Sequence, residues 1–367
     1  MYTTIGPEAL GIRGLSLSEA IALARDSGFE GLCAPIRLIA DEVEARDVES
    51  VRNEFAQAGV RPAHWNLPVA WRDDAQYAAD LSDLPRLAAV AREMGQTRAA
   101  TFMPSGSDER PYAENFAWHV ARLRPIAEVL RDEGIRFGIE YIGPKSYRDA
   151  FRHEFIYTLD GLMELIAAID VDNVGVMLDS WHLAASGGSP ADIERLTNDD
   201  IVVVHVNDAP AGIPWDEQID TVRVLPGETG VIDLAGFTRA LQKLGYDGPV
   251  MPEPFSQRST TWPHMIHWRR HEKPRVRWPP SGRLPLERRA IVCSRCYRAV
   301  ERALPVQHTL GAQAIVPFRF GPETHPLSFD AKGVHPCPSL TGENSAGASR
   351  SRKIRNAWPI TATSKSS

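Results

Sequence analysis

The chain has 367 residues, 43% apolar and 24% charged, with a formal net charge of −6. That is the composition of a soluble globular protein with room for one large domain or two. No run approaches the ~18 apolar residues of a membrane span, the opening MYTTIGPEALGI lacks the basic and apolar regions of a signal peptide, and Cys33, alone in the first 257 residues, excludes a disulfide framework there and fits a reducing cytoplasm.

Along residues 1–257 a short apolar run is followed, again and again, by an amphipathic stretch. The runs predict strands at Tyr2–Ile5, Gly31–Ala34, Arg61–Asn66, Arg98–Met103, Arg136–Tyr141, Val174–Leu178, Ile201–Val206 and Val250–Glu253. Apolar spacing of i, i+3, i+4 predicts helices over 16–28, 47–59, Leu81–Met94, Ala113–Arg131, Thr158–Ile169 and Asp233–Leu244. DSGFEG, EMGQTR and DEGIRF each place a Gly just after a helix, where a left-handed cap is needed. Eight strands alternating with helices over this length is the rhythm of a (β/α)8 TIM barrel. A doubly wound open sheet is the alternative, but GPEALGIRG after the first strand is a poor phosphate loop.

After MPEPFSQ the pattern fails. Residues 258–367 carry 19 Lys and Arg against 6 Asp and Glu, so this tail is +13 and the body is −19. Pro recurs, no apolar stripe of helical period persists, and the eighth helix is therefore expected to be missing or abnormal. Residues 338–367, rich in Ser, Thr and Gly, read as disordered. An Arg-, Pro-, Cys- and Trp-rich run starting in mid-element is what an out-of-frame reading of a GC-rich gene produces. The competing reading is a basic nucleic-acid tail. CSRC (293–296) lacks a second pair at zinc-ribbon spacing and reads as two incidental Cys.

In a barrel, the C-terminal ends of the strands converge on one mouth. Strand five offers Glu140, strand six Asp179 with His182 three residues on, strand seven His205, and strand eight Glu253. Each polar group sits in or at the tip of an apolar run, where an unpaired charge is costly. Any one of them fits a buried ion pair or an ordinary cap. Four on successive strands point to a shared site. Two Glu, one Asp and one His form an oxygen-rich set suited to Mn2+, Mg2+ or Co2+, with Zn2+ also admissible.

Glu140, Asp179-x-x-His182, His205 and Glu253, in that order, resemble the xylose isomerase-like barrel family of sugar isomerases and epimerases, over about residues 1–257. Closest in motif are its 2-keto-myo-inositol isomerase and ketose 3-epimerase branches, whose R-x-x-P-G-x-G segment DTVRVLPGETG is similar to. The resemblance implies that Glu140, Asp179, His205 and Glu253 ligate one divalent metal, which holds a substrate carbonyl and a neighbouring hydroxyl. It implies that Glu140 and Glu253 move protons on opposite faces of a small ketose or cyclitol ketone, through a metal-stabilised enediolate, while His182 donates to the developing oxyanion. Arg223 is expected to hold a substrate oxygen or to pair with Asp220 or Glu228. His64, Trp181 and Glu228 are weaker candidates for substrate contact, with Phe255 and Lys145 behind them. Enediolate chemistry also leads to elimination, so an inosose or dehydroshikimate dehydratase is the second reading. An AP endonuclease-like nuclease is a third, disfavoured by the −19 body and by its few His. The expected partner is thus a small molecule, neither nucleic acid nor membrane. Barrels of this kind often associate as homo-oligomers, but the sequence shows no interface.

Overall fold

The computed structural model describes residues 1–255. The elements run β1 (Tyr2–Ile5), α1 (Leu17–Asp26), β2 (Gly31–Leu32), α2 (Ile36–Arg46), α3 (Val48–Ala58), β3 (Arg61–Pro62), β4 (Trp65–Asn66), α4 (Asp74–Met94), β5 (Arg98–Met103) and β6 (Gly106–Ser107). They continue with α5 (Tyr112–Asp132), β7 (Arg136–Tyr141), α6 (Lys145–Arg148), β8 (His153–Glu154), α7 (Leu159–Ile169), β9 (Val174–Asp179), α8 (Ser180–Ala185), α9 (Pro190–Ile193), β10 (Ile201–Val206), α10 (Leu234–Lys243) and β11 (Pro249–Pro252).

Nine strands form one parallel sheet in the order β3-β2-β1-β11-β10-β9-β7-β5-β4. Its two ends, β3 and β4, are halves of the one stretch 61–66. Gly31 pairs with Arg61 on one side and Ala99 with Trp65 on the other. Ala63 N–H donates to the Leu32 carbonyl and Leu67 N–H to the Ala100 carbonyl. The sheet therefore closes on itself as an eight-stranded TIM barrel, as the sequence predicts. The short β6–β8 ribbon lies outside this ring.

The helices form for local reasons. Ser16 and Glu19 build a capping box at the start of α1, which buries Leu17, Ala20, Ile21 and Ala24. Thr158 caps α7, and α10 buries Leu234, Phe237, Ala240 and Leu241. Gly28, Gly95 and Gly134 adopt φ of +83°, +75° and +68°, the left-handed ends expected of them. Central strands β9 and β10 are buried at every residue, hence their unbroken apolar runs.

Some elements differ from the reading. Helix α4 starts at Asp74, seven residues before the apolar stripe, because Asp73 caps it through the Ala75 and Gln76 amides. Helix α2 was not foreseen. It is separated from α3 only by Asp47, whose φ of 111° breaks the helix while its carboxylate caps α3. The short helices α8 and α9, between β9 and β10, were not foreseen either. No helix among the described residues is long and apolar enough to cross a membrane. The expected loss of helix eight, the basic or out-of-frame tail 258–367, its disordered end and the CSRC pair all lie outside the described residues.

Candidate active site

Glu140 stands one residue from the end of β7, Asp179 ends β9, His205 lies near the end of β10, and Glu253 follows β11. One potential ligand atom from each lies within 4.8 Å of all the others. These are the four residues expected to share a site. Glu140, Asp179 and His205 are buried and Glu253 nearly so. Glu140 Oε1 and both ring nitrogens of His205 are buried without a hydrogen-bond partner. Unpartnered polar atoms buried among three carboxylates are a costly arrangement unless a cation satisfies them. The donor set, three carboxylates and one imidazole, fits a divalent cation.

Two of the ligand candidates, Asp179 and Glu253, are held by neighbouring groups. Asp179 caps α8: its Oδ1 accepts from the Trp181 amide at 2.6 Å and the His182 amide at 3.4 Å. Its Oδ2 accepts from Asn207 Nδ2 at 3.2 Å and Arg223 Nη1 at 3.0 Å. Capping and site-forming roles, read from the sequence as competitors, thus fall to different oxygens of one carboxylate. Glu253 Oε2 accepts from Arg223 Nη1 at 3.1 Å and lies 3.3 Å from His205 Nδ1.

Burial and the neighbouring charges of Glu253 and Asp179 push the Glu140 carboxyl well above the ordinary carboxylate range. Glu253 goes the other way. Burial opposes its charge, but His205, together with Arg223, holds it below its ordinary value. His205 is correspondingly raised by Glu253 against the effect of burial. Two neighbouring carboxyls of opposite proton affinity is the division of labour that acid/base chemistry needs.

His182 enters from α8. The Gly143 amide donates to its Nδ1 at 3.2 Å, so a neutral ring carries its proton on Nε2. Gly143 is required here, since a Cβ would collide with the His182 carbonyl oxygen. Burial and Arg223 hold the ring below its ordinary pKa and hence neutral. Nε2 stands 3.7 Å from Asp220 Oδ1 and 3.9 Å from Glu140 Oε1, too far for hydrogen bonds. Arg223 Nη2 lies 3.1 Å from it, and in this tautomer both nitrogens carry protons. The His182 Nε2–H is therefore left as a donor for a further group, beside a positive charge.

Arg223 is 1% exposed and is the hub of the site. Besides Asp179 and Glu253 it binds Asp220, with Nη2 to Oδ1 at 2.7 Å and Nε to the carbonyl at 2.8 Å. The pairing with Asp220 expected from the sequence is present, and that with Glu228 is not the one formed. Glu228 is exposed in the loop and accepts from the Leu225 amide. Trp181 is wholly buried, with its ring 5.5 Å from the Arg223 guanidinium and edge-on to Trp215. Phe255 covers the same guanidinium at 4.9 Å. Lys145, at the start of α6, pairs with Asp149 just past its end. His64 is fully buried, its ring 5.8 Å from that of His205 and both its nitrogens unpartnered. Asn207 was expected only to stand behind His205, and Asp220 only to pair with Arg223. Both stand next to named candidates in VHVND and DTVR, but only the fold brings them to Asp179 and His182.

A family model for the xylose isomerase-like TIM barrel matches residues 21–272. The chain belongs to this family. Among family relatives, an inosose isomerase of Halalkalibacterium halodurans is 24% identical over 215 residues, 57% of this chain and 71% of that protein. A 3-dehydroshikimate dehydratase of Pseudomonas aeruginosa is 31% identical over 138 residues, 36% of this chain but only 20% of that protein. Among solved structures, the IOLI protein with a binding zinc atom superposes with a TM-score of 0.64 at 16% identity, covering 84% of this chain and all of that one. That last likeness is one of fold. The relatives thus include both an isomerase and a dehydratase.

Proposed function

We propose that this protein is a divalent-metal-dependent isomerase or epimerase of a small ketose or cyclitol ketone. The observation that carries the reading is the convergence of Glu140, Asp179, His205 and Glu253 within 4.8 Å at the barrel mouth, from four successive barrel strands. Support comes from the isomerase relative and from the zinc named with the fold neighbour.

The four residues would hold one cation, with Mn2+, Mg2+ and Co2+ favoured by the oxygen-rich set and Zn2+ admissible. When bound, the cation supplies Lewis acidity to a substrate carbonyl and fixes the hydroxyl beside it. Glu253, held ionised by His205 and Arg223, is the base that removes the proton α to the carbonyl. Glu140, the second carboxylate of the set, returns a proton to the other carbon or the other face. Charge developing on the enediolate oxygen meets the His182 Nε2–H, with the positive charge of the Arg223 guanidinium beside it. Burial of the whole set keeps those interactions strong.

Elimination of a β-hydroxyl from the same enediolate is the second reading, favoured by the 31% identity to the dehydratase. Incubation with an inosose and Mn2+ in deuterated water separates the two. Exchange at the α carbon with retention of mass otherwise marks isomerisation. A product lighter by one water marks the dehydratase. Absence of exchange with every ketose and cyclitol ketone tried would sink both.

A further inference from the structure

Arg223 sits within residues 209–232 of the long connection between β10 and α10, yet its guanidinium is placed against two carboxylates from separate strand ends, Asp179 of β9 and Glu253 just after β11. A loop this long holds no fixed height by itself. What closes it is Asp208, the residue two beyond the end of β10.

Asp208 is fully buried. Its Oδ1 accepts from the Ala209 amide at 2.9 Å and the Ile232 amide at 3.0 Å. Its Oδ2 accepts from the Thr229 amide at 3.0 Å and the Gly230 amide at 2.7 Å. One carboxylate therefore ties the first residue of the loop to its last turn. Its backbone pairs with Val224, the residue after Arg223, through two N–H···O bonds of 3.1 and 2.9 Å. Thr229 Oγ1 adds a bond to the Ala209 carbonyl at 2.6 Å. Within the loop, Gln218 Nε2 holds the Pro210 and Ile213 carbonyls. None of these groups touches the four candidate ligands, so the clasp acts on the loop alone.

We propose that Asp208 is a positioning residue for Arg223: its carboxylate clasps both ends of loop 209–232 and so sets the height of the guanidinium over Asp179 and Glu253. This rests on the reading of Arg223 as a holder of substrate oxygen. Four amide donors converge on two oxygens, and only a carboxylate supplies enough acceptors. Asp208→Asn puts an NH2 against two of those N–H groups and frees the loop end.

The test uses the full chain with 15N-labelled arginine. The Arg223 Nε–H, which donates to the Asp220 carbonyl, is identified by its loss in Arg223→Gln. In Asp208→Asn its exchange with solvent is expected to speed up about tenfold or more, while the Mn2+ dissociation constant moves less than about twofold. Thr229→Val, which removes the Oγ1 bonds to the Ala209 carbonyl and from the Val231 amide but leaves the Asp208 carboxylate in place, is expected to give a smaller change of the same sign, and decides the matter if Asp208→Asn fails to fold. With an inosose as substrate, Asp208→Asn is expected to raise KM about tenfold in the wild-type background and to add nothing in Arg223→Gln. Unchanged Nε–H exchange in the folded variants, a parallel loss of Mn2+ affinity, or an equal KM effect with and without Arg223 would overturn the proposal. If the wild type binds Mn2+ but turns over no inosose, the substrate assignment fails instead, and the exchange measurement still decides the role of Asp208.

Discussion

Arg223 Nη1 lies 3.0 Å from Asp179 Oδ2, with the two side chains 1% and 0% exposed. The same nitrogen reaches Glu253. The guanidinium is thus a buried positive charge shared by two carboxylates that are also candidate metal ligands. Its worth to the fold depends on what else compensates those carboxylates.

Arg223→Gln leaves Asp179 and Glu253 buried with less positive charge between them. Breaking one side of a buried ion pair costs about 3–5 kcal/mol. A divalent cation supplies the missing charge. The loss of Tm on Arg223→Gln is therefore expected to be clearly larger in EDTA than in saturating Mn2+. Equal losses in the two conditions would show that the cation does not sit between these carboxylates.

Glu140→Gln and Glu253→Gln each remove a proton carrier at nearly constant volume. Acid/base groups contribute about 10²–10⁴ in rate. Turnover is expected to fall at least about 10³-fold in each, because each change also weakens the cation site. Far-UV circular dichroism should be unchanged. Near wild-type turnover in both would remove the two-carboxylate mechanism.

His119 gives a pH dependence away from the site. Its ring stacks on Phe155 and meets Trp71 and Trp118 edge-on, and its Nδ1–H donates to the Asn115 carbonyl at 2.7 Å. Burial pushes its pKa down to about 4 from 6.5. In the unfolded chain the ring takes up its proton near the ordinary value, and in the folded chain only near 4. Stability is whole above pH 6.5 and is lost as pH falls from there toward 4, by up to about 3 kcal/mol. Urea unfolding of His119→Phe is expected to show a shallower loss across that window than the wild type. Parallel pH curves would contradict this.

Much of this was legible because buried parallel strands read as short apolar runs, and because a charge at the tip of such a run is costly unless it has a purpose. Glu140, Asp179, His205 and Glu253 were visible on those grounds. Asp179 and Arg223 are 44 positions apart, and nothing in local spacing joins them. That Asp179 both caps α8 and faces Arg223 could not be read, since residue type does not say which oxygen does what. Trp181 illustrates another limit: an aromatic at a strand end looks the same whether it lines a pocket or, as here, lies sealed beside a guanidinium. The break that makes β3 and β4 two pieces is invisible because 61–66 reads as one run. Helix α2 was hidden by its charge, with Asp47 in an unusual conformation separating it from α3.

The central claim is that Glu140, Asp179, His205 and Glu253 hold one divalent cation. Its most direct measurement is calorimetric titration of the metal-stripped full chain with Mn2+. We predict one ion per chain, with affinity reduced at least about 10-fold by Asp179→Asn and by His205→Gln, each in folded protein. No binding by the wild type, or binding that both substitutions leave unchanged, would contradict the account.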